Sequence, residues 1–448
     1  AAGTAHATVD AAITSNDTAI ADAATTTATA AAEATLVAGT GFDTVAALNS
    51  AYTNAIAATP ILDDAFGATA ATFQGTAGND VMTATSVTYT SGQKLIDANS
   101  ADSDTLTVTA TDDIANTPLV AGFENVVFNL NASTTTAGTA TEFDVDVQNI
   151  SQANITVTVT KPVTTVTTVA VTNLGDGNTL TTGHNLTVGA VANADVVLSM
   201  TKATSQSVTQ TGTADNLTVN SSAATTLTII DAFAEEAIAI TGAGAVTITD
   251  LSAATTSATK QSLDVDAAGA ITLTKTTNDG TVDLNTTSGD VTVTLANVAT
   301  GAFDLTTAAG NILVTDADGS TATLTASATG DADANAAAAD GDISVTSGDA
   351  FTGAVLTASG GIAVTGLDAV ATMSLSAGQA STLEDVGAVT ALTLAGTSAT
   401  GVTYTVKTNE NDLNAVDTIT FTGTGDVTLA VDGTDLVVAA ASTAGGTT

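Results

Sequence analysis

From about residue 215 onward one short pattern recurs: a Gly, one variable residue, then apolar and Thr positions in alternation. The copies are Gly244 followed by AVTIT, Gly269 by AITLT, Gly289 by DVTVT, Gly310 by NILVT, Gly341 by DISVT, Gly360 by GIAVT, Gly387 by AVTALTL and Gly425 by DVTLAV. Their starts lie 19 to 38 residues apart. A second set of strand-like segments falls between them: Leu263 followed by DVD, Val282 by DLN, Phe303 by DLT, Ala322 by TLT, Val355 by LTA and Met373 by SLS. Alternation of this kind marks strands buried on one face. Strands therefore arrive roughly every 10 residues, with a full period of about 20.

Two strands per period of about 20 residues predict a mainly β fold, a parallel β-solenoid (β-helix) with about 20 residues per coil. Each coil cannot bury its apolar face alone, so Val, Ile and Leu pack against the neighbouring coil. Gly before each strand suits a tight corner. Thr at outward positions keeps β propensity without an apolar outer face. A β-sandwich array is the competing architecture, since it also spaces strands by 8–12 residues. The internal period, the absence of Asn-Gly hairpin signals and the 3% aromatic content favour the solenoid. The wider spacing around 312–343 contains DADG and DADANAAAADGD, which read as inserted loops.

Three regions follow along the chain. Residues 1–70 are Ala-rich, and Phe42, Val45, Leu48, Tyr52 and Ile56 fall at helical spacing before Pro60. They predict a small α-helical N-terminal region, either a cap or a cell-surface docking domain. Residues 71–214 form a β-rich domain, with DTLTVTA at 104–110, NITVTVT at 154–160 and VTTVTTVAV at 163–171. Residues 215–448 hold the Thr/Ala-rich repeats.

Charge narrows the function classes. The chain carries 46 Asp and Glu against six Lys and no Arg, a net charge of −40. Such a surface repels nucleic acid, which requires neutralised phosphates. Self-repulsion at this level destabilises a compact state. Hard divalent cations, Ca²⁺ above all, suit the many carboxylate oxygens as an offset; the competing reading is that the charge serves solubility alone. No run of about 18 apolar residues is present, so no membrane-spanning helix is expected. The absence of Cys excludes disulfides and thiol chemistry. The two His, His6 and His184, read as solvated surface residues. No Ser-His-Asp set, zinc motif or phosphate loop is visible. Without Trp, and with three Tyr, the chain lacks the aromatic platforms a sugar-cleaving cleft uses. An enzyme is not expected.

Residues 75–83 read GTAGNDVMT, which fits the calcium-loop pattern G-x-x-G-x-D-x-apolar-x. Gly75 and Gly78 would allow the turn, Asn79 and Asp80 would face the ion, and Met82 would enter the core. Residues 99–107, NSADSDTLT, echo it with Asp102, Asp104 and Leu106. Further candidate ligands are Asp176 in GDGN, Asp316 and Asp318 in DADG, and Asp331, Asp333, Asp340 and Asp342 in the long insert. The clusters Asp112–Asp113, Asn409–Asp412 and Asp432–Asp435 follow the same style. For each such cluster an ordinary Asx-turn is the competing reading.

The stretch GTAGNDVMTAT (75–85), DSDTLTVTATDD (102–113), GFENVVFN (122–129) and NISQANITVTVTK (149–161) resembles secreted surface proteins of alphaproteobacteria, among them Caulobacter-type S-layer proteins and related RTX-like calcium-rich repeat proteins. The resemblance covers residues 70–165 closely and the later repeats in style. It implies type I secretion and a β-solenoid held by Ca²⁺. It also implies self-assembly into a homo-oligomeric lattice at the cell surface, and an N-terminal helical region that holds lipopolysaccharide or surface polysaccharide. By position, Gly75, Gly78 and Asp80 would form one calcium turn, and Asp102 and Asp104 a second. The tandem glycine-rich nonapeptides of that pattern are absent. An extracellular adhesin or filament subunit and a calcium-dependent polysaccharide-active enzyme are the alternatives.

Overall fold

A computed structural model describes residues 72–75, 78–97, 102–131, 142–159, 168–191, 194–211, 214–231, 234–249, 262–275, 280–295, 301–316, 323–330, 341–347, 351–367, 370–387, 389–407, 416, 418–423 and 426–432. The predicted helices of residues 1–70 lie outside these. The described residues contain strands, turns and bends, and no helix. Accordingly no helix among them is long and apolar enough to cross a membrane.

The architecture is a parallel β-solenoid with about 21 residues per turn, and about 13 turns carry both long sheets. One sheet has 16 strands, from Val81–Thr85 to Thr418–Gly423. The other has 14, from Glu142–Asp146 to Val427–Asp432. From Asn154–Val159 onward hydrogen-bonded neighbours are alternate strands of the chain, and the pairings are parallel. Parallel pairing excludes the hairpins of a sandwich array.

The period-2 pattern sets the register. Leu263, Val282, Phe303, Leu324, Ala354, Met373, Leu392 and Ile419 occupy one inward column of the 16-stranded sheet. Each is buried. Alternate positions point outward and are mostly Thr, Ser, Asn or Asp. Burying one such Val or Leu is worth about 1.5–3 kcal/mol, so a one-residue slip, which turns the column outward, is heavily penalised. Corner hydroxyls satisfy backbone groups that the ladder leaves over: Thr286 and Thr307 donate to the carbonyls of Gly269 and Gly289, at 2.6 and 2.9 Å. Gly289, with φ of 106°, supplies the left-handed corner expected of a repeat glycine.

The irregular spacing of the repeat copies has a structural cause. The copies at Gly244 through Gly360, and the one at Gly425, lead into strands of the 14-stranded sheet, whereas the Gly387 copy leads into Ala391–Gly396 of the 16-stranded sheet. The intervening 14-stranded positions are filled by Ser381–Glu384 and Val402–Lys407, whose STLE and VTYTVK lack the repeat's glycine signature. The long insert leaves the ladder intact, since Ile312 still pairs with Ile343 across it.

The cross-section changes once along the axis. In the first turns a four-stranded face (Thr72–Gln74, Lys94–Ile96, Leu119–Ala121 and Ile150–Ser151) accompanies the 16-stranded sheet. Among the described residues the third side carries only the bridge from Ile114 to Val145 before the 14-stranded sheet begins at Glu142–Asp146. The interior of these turns buries Tyr89, Phe123, Phe128 and Phe143. Tyr89 meets Phe128 edge-on, with ring centroids 6.0 Å apart. Where the fifth strand of the four-stranded face would stand, the chain makes the tight turn 175–178. Asn178 closes the interior there. Its Nδ2 donates to the carbonyls of Ile150 (2.9 Å) and Gly175 (3.2 Å), and its Oδ1 accepts from Ala153 N–H (2.9 Å). Beyond it the solenoid is two-faced, and the ladder continues past residue 214 with a register shift between Ala214 and Asn216.

Candidate metal centre

The corner between the short face and the 16-stranded face gathers carboxylates from three successive turns. Asp80, Asp104 and Glu124 each immediately precede a strand of the 16-stranded sheet, and those strands pair in register from Val81 to Thr105 to Asn125. The three acids are therefore stacked by the ladder itself. Their carbonyls continue it, accepting from Thr105 N–H (2.8 Å), Asn125 N–H (3.0 Å) and Asn154 N–H (2.7 Å) in turn. Asp97 enters the same corner from the end of Lys94–Ile96, its N–H donating to the Ala121 carbonyl at 2.9 Å.

Ligand oxygens of Asp80, Asp97 and Asp104 lie within 4.8 Å of one another, and those of Asp102, Asp104 and Glu124 form a second, overlapping group on the same criterion. The first three residues are 4%, 6% and 0% exposed; Asp102 and Glu124 are partly exposed. Backbone donors hold the carboxylates. Asp80 N–H donates to Asp104 Oδ1 at 2.7 Å, and Asp104 N–H donates to Glu124 Oε2 at 2.8 Å. Asp104 Oδ2 is buried and has no hydrogen-bond partner. Burial, reinforced by the charges of Asp97, Asp102 and Asp80 and opposed by the Asp80 N–H, pushes the Asp104 carboxyl up to about 6. A side chain at Gly75 would fill the space beside this group, since a Cβ there would run into Asp97 Oδ1 and lie 2.8 Å from Asp80 Oδ2.

Chemically, closely spaced oxygens of one sign, buried and without Lys among them, suit a hard cation with oxygen coordination. Without one, the charged forms bear the desolvation cost of burial and mutual repulsion together.

The structure thus unites Gly75, Asp80, Asp102 and Asp104 of the sequence-derived set, and adds Asp97 and Glu124, which that set omitted. Asn79 stands at the rim, its Oδ1 accepting from Ser103 N–H at 3.0 Å. Gly78 faces open space, so no close approach demands a glycine there. The residues expected to form two separate calcium turns lie together in one corner.

The remaining candidates lie elsewhere. Asp176 is exposed in the turn that Asn178 secures. Asp342 acts as a corner cap: Asp290 Oδ1 accepts from Asn311 N–H (2.8 Å), Asn311 Oδ1 from Asp342 N–H (2.9 Å), and Asp342 Oδ1 from Gly361 N–H (2.6 Å). This is the Asx-type use of a carboxylate, repeated up the stack. Asp316 ends the strand Ile312–Asp316. Asp318, Asp331, Asp333 and Asp340 lie outside the described residues, as does His6. His184 is half-buried rather than solvated, and burial, with Lys202 nearby, holds its imidazole below the usual value.

The fold and this corner define the chain as a parallel β-solenoid whose first turns enclose a carboxylate cluster. Comparison with protein-family models, with curated proteins and with solved structures finds no match.

Proposed function

We propose that this chain is a structural subunit of a bacterial surface layer: a calcium-stabilised solenoid that assembles with copies of itself into a two-dimensional lattice outside the cell. The observation that carries this function is the buried cluster Asp80, Asp97 and Asp104 within a chain of net charge −40. A divalent cation would neutralise that corner, and cations of the same kind would let acidic subunits meet. Support also comes from the regular shaft, whose stacked turns offer long hydroxyl-lined faces of fixed register and whose interior is aliphatic. Repeating faces suit repeating contacts between identical subunits. The sequence resemblance over residues 70–165 points the same way. Within this function residues 1–70 would dock on lipopolysaccharide or surface polysaccharide through shared cations.

The test is electron microscopy of the purified chain. Two-dimensional arrays with Ca²⁺, dissolving into monomers with a chelator, are the expected result. Arrays that form equally well in metal-free buffer would overturn the calcium dependence. A chain that stays monomeric with Ca²⁺ but binds a surface ligand would instead be an adhesin.

A further inference from the structure

We propose that the five carboxylates of this corner are one two-cation centre, with Asp104 shared between the ions, and that the centre governs the folding of the first turns alone. This rests on the cation dependence proposed above, and takes it further by assigning the ligands, the number of ions and the region they control. Three observations carry it.

The first is Asp104 itself. It is 0% exposed, its Oδ1 is engaged by Asp80 N–H, and its Oδ2 has no hydrogen-bond partner. A buried carboxylate oxygen left in this way destabilises the fold unless something positive meets it. Asp104 also belongs to both overlapping groups, which makes it the bridging residue.

The second is charge balance. Asp80, Asp97, Asp102, Asp104 and Glu124 bring five negative charges. One divalent ion would leave three uncompensated, and two would leave one. The two positions differ in access. Asp80, Asp97 and Asp104 are all buried, whereas the second group is open to solvent at Asp102 and Glu124. The inner ion is accordingly the tighter, and the outer one exchanges more readily.

The third is distribution. The buried charged residues among those described are Asp80, Asp97 and Asp104, all in the first two turns. Buried polar residues of the two-faced shaft are neutral: Thr182, Gln206, Gln210, Ser221, Thr286, Thr307 and Ser381. Among the described residues, the shaft interior therefore has no carboxylate that needs a cation.

The experiment is calcium titration calorimetry on the chelator-stripped full chain, with MgCl₂ as the competing probe, alongside hydrogen exchange read by peptide. Glu124→Gln should remove one bound Ca²⁺, the weaker, relative to wild type. Asp104→Asn should remove two. Chelation should strip protection from residues 78–131 and leave residues 280–316 and 351–407 protected. Equal losses in the two variants would reduce the centre to a single ion and overturn the bridge, and unchanged stoichiometry in both would overturn the site. Uniform loss of protection along the chain would overturn the regional control. If Asp104→Asn does not fold, Glu124→Gln and the wild-type exchange pattern still decide. A chain that binds both ions but forms no arrays would retire the lattice function and leave this centre standing.

Discussion

The three-faced base and the two-faced shaft share one continuous ladder, yet they fill their interiors by different means. In the shaft, two sheets face each other closely and Val, Leu, Ile and Ala suffice, with Phe303, Phe351 and Tyr404 as the large exceptions. In the base, the four-stranded face adds a side that the shaft lacks. Aromatic rings occupy the centre, and carboxylates occupy a corner. A narrow solenoid can be stabilised by stacking alone, because each turn adds apolar contact with the last. A turn with an extra side has an extra corner to close, and one corner here closes on acids. Asn178 marks the transition, replacing a strand with three hydrogen bonds from one amide.

The comparison is tested most severely by cutting the core on each side of Asn178. Leu284→Ala in the shaft removes a fully buried side chain and should cost about 2–5 kcal/mol of local stability. The loss should be the same with Ca²⁺ and with chelator. Leu106→Ala in the base removes an equally buried leucine, and its cost should appear in Ca²⁺ alone, since the chelated base is already open. Opening free energies from native-state hydrogen exchange are the right measure, because a long stack does not unfold as one cooperative unit. A calcium-dependent cost at Leu284 would erase the distinction between the two regions.

A smaller effect is expected at the junction. Asn178→Ala leaves Ala153 N–H and the Ile150 carbonyl without their partner in a buried site. The expected loss is about 1–3 kcal/mol. It should appear as faster exchange at residues 150–154 and 179–182, with the distal shaft unchanged. Asn178→Asp keeps the acceptor but sets a buried carboxylate against the Ile150 and Gly175 carbonyls, so it should lose at least as much protection as Asn178→Ala near neutral pH.

Much of the shaft was legible in the chain itself. Inward Val and Leu alternating with outward Thr fixes strand, face and parallel stacking together, because that alternation is the fold's energetic basis. The strands Ser381–Glu384 and Val402–Lys407 were missed because they lack the glycine signature, while Gly387 carries it on the opposite sheet. The corner was half legible. Asp80 and Asp104 stand out in calcium-loop-like segments, but Asp97 and Glu124 do not, since neither has a motif of its own. They emerge only when turns are aligned on strand starts, which places Glu124–Asn125 under Asp104–Thr105, and Asp97 at the level of Gly75 and Gly122. The four-stranded face was invisible for a similar reason: strands of two or three residues, such as Ile150–Ser151, are too short to show a period. The Gly-Asp-Gly-Asn turn at 175–178 drew notice for Asp176, whereas the residue that works there is Asn178.

The shaft has a charge problem of its own, on its outside. Asp264, Asp283 and Asp304 occupy directly opposed positions on three successive strands of the 16-stranded sheet. Adjacent strands lie about 4.8 Å apart, and like charges at that separation destabilise a ladder. Burial of the charged form, then Asp266, raises the Asp264 carboxyl; burial, then Asp304 and Asp264, raises Asp283 against the opposing hydrogen bond from Asn285. The sign follows from linkage. A carboxylate raised on folding is more ionised in the unfolded chain, so above its folded value it costs stability, and the cost is relieved as pH falls through that value toward the unfolded one. Asp283→Asn removes the middle charge and should stabilise the shaft by about 0.2–1 kcal/mol near neutral pH. The gain should shrink as pH drops into the carboxylate range, and in about 1 M salt, where the screening length falls to about 3 Å. Exchange at residues 263–307 would read it, with the base as internal control. A loss of stability on this substitution would mean that the ladder's charge is held by something that favours it, and the shaft could no longer be described as independent of cations.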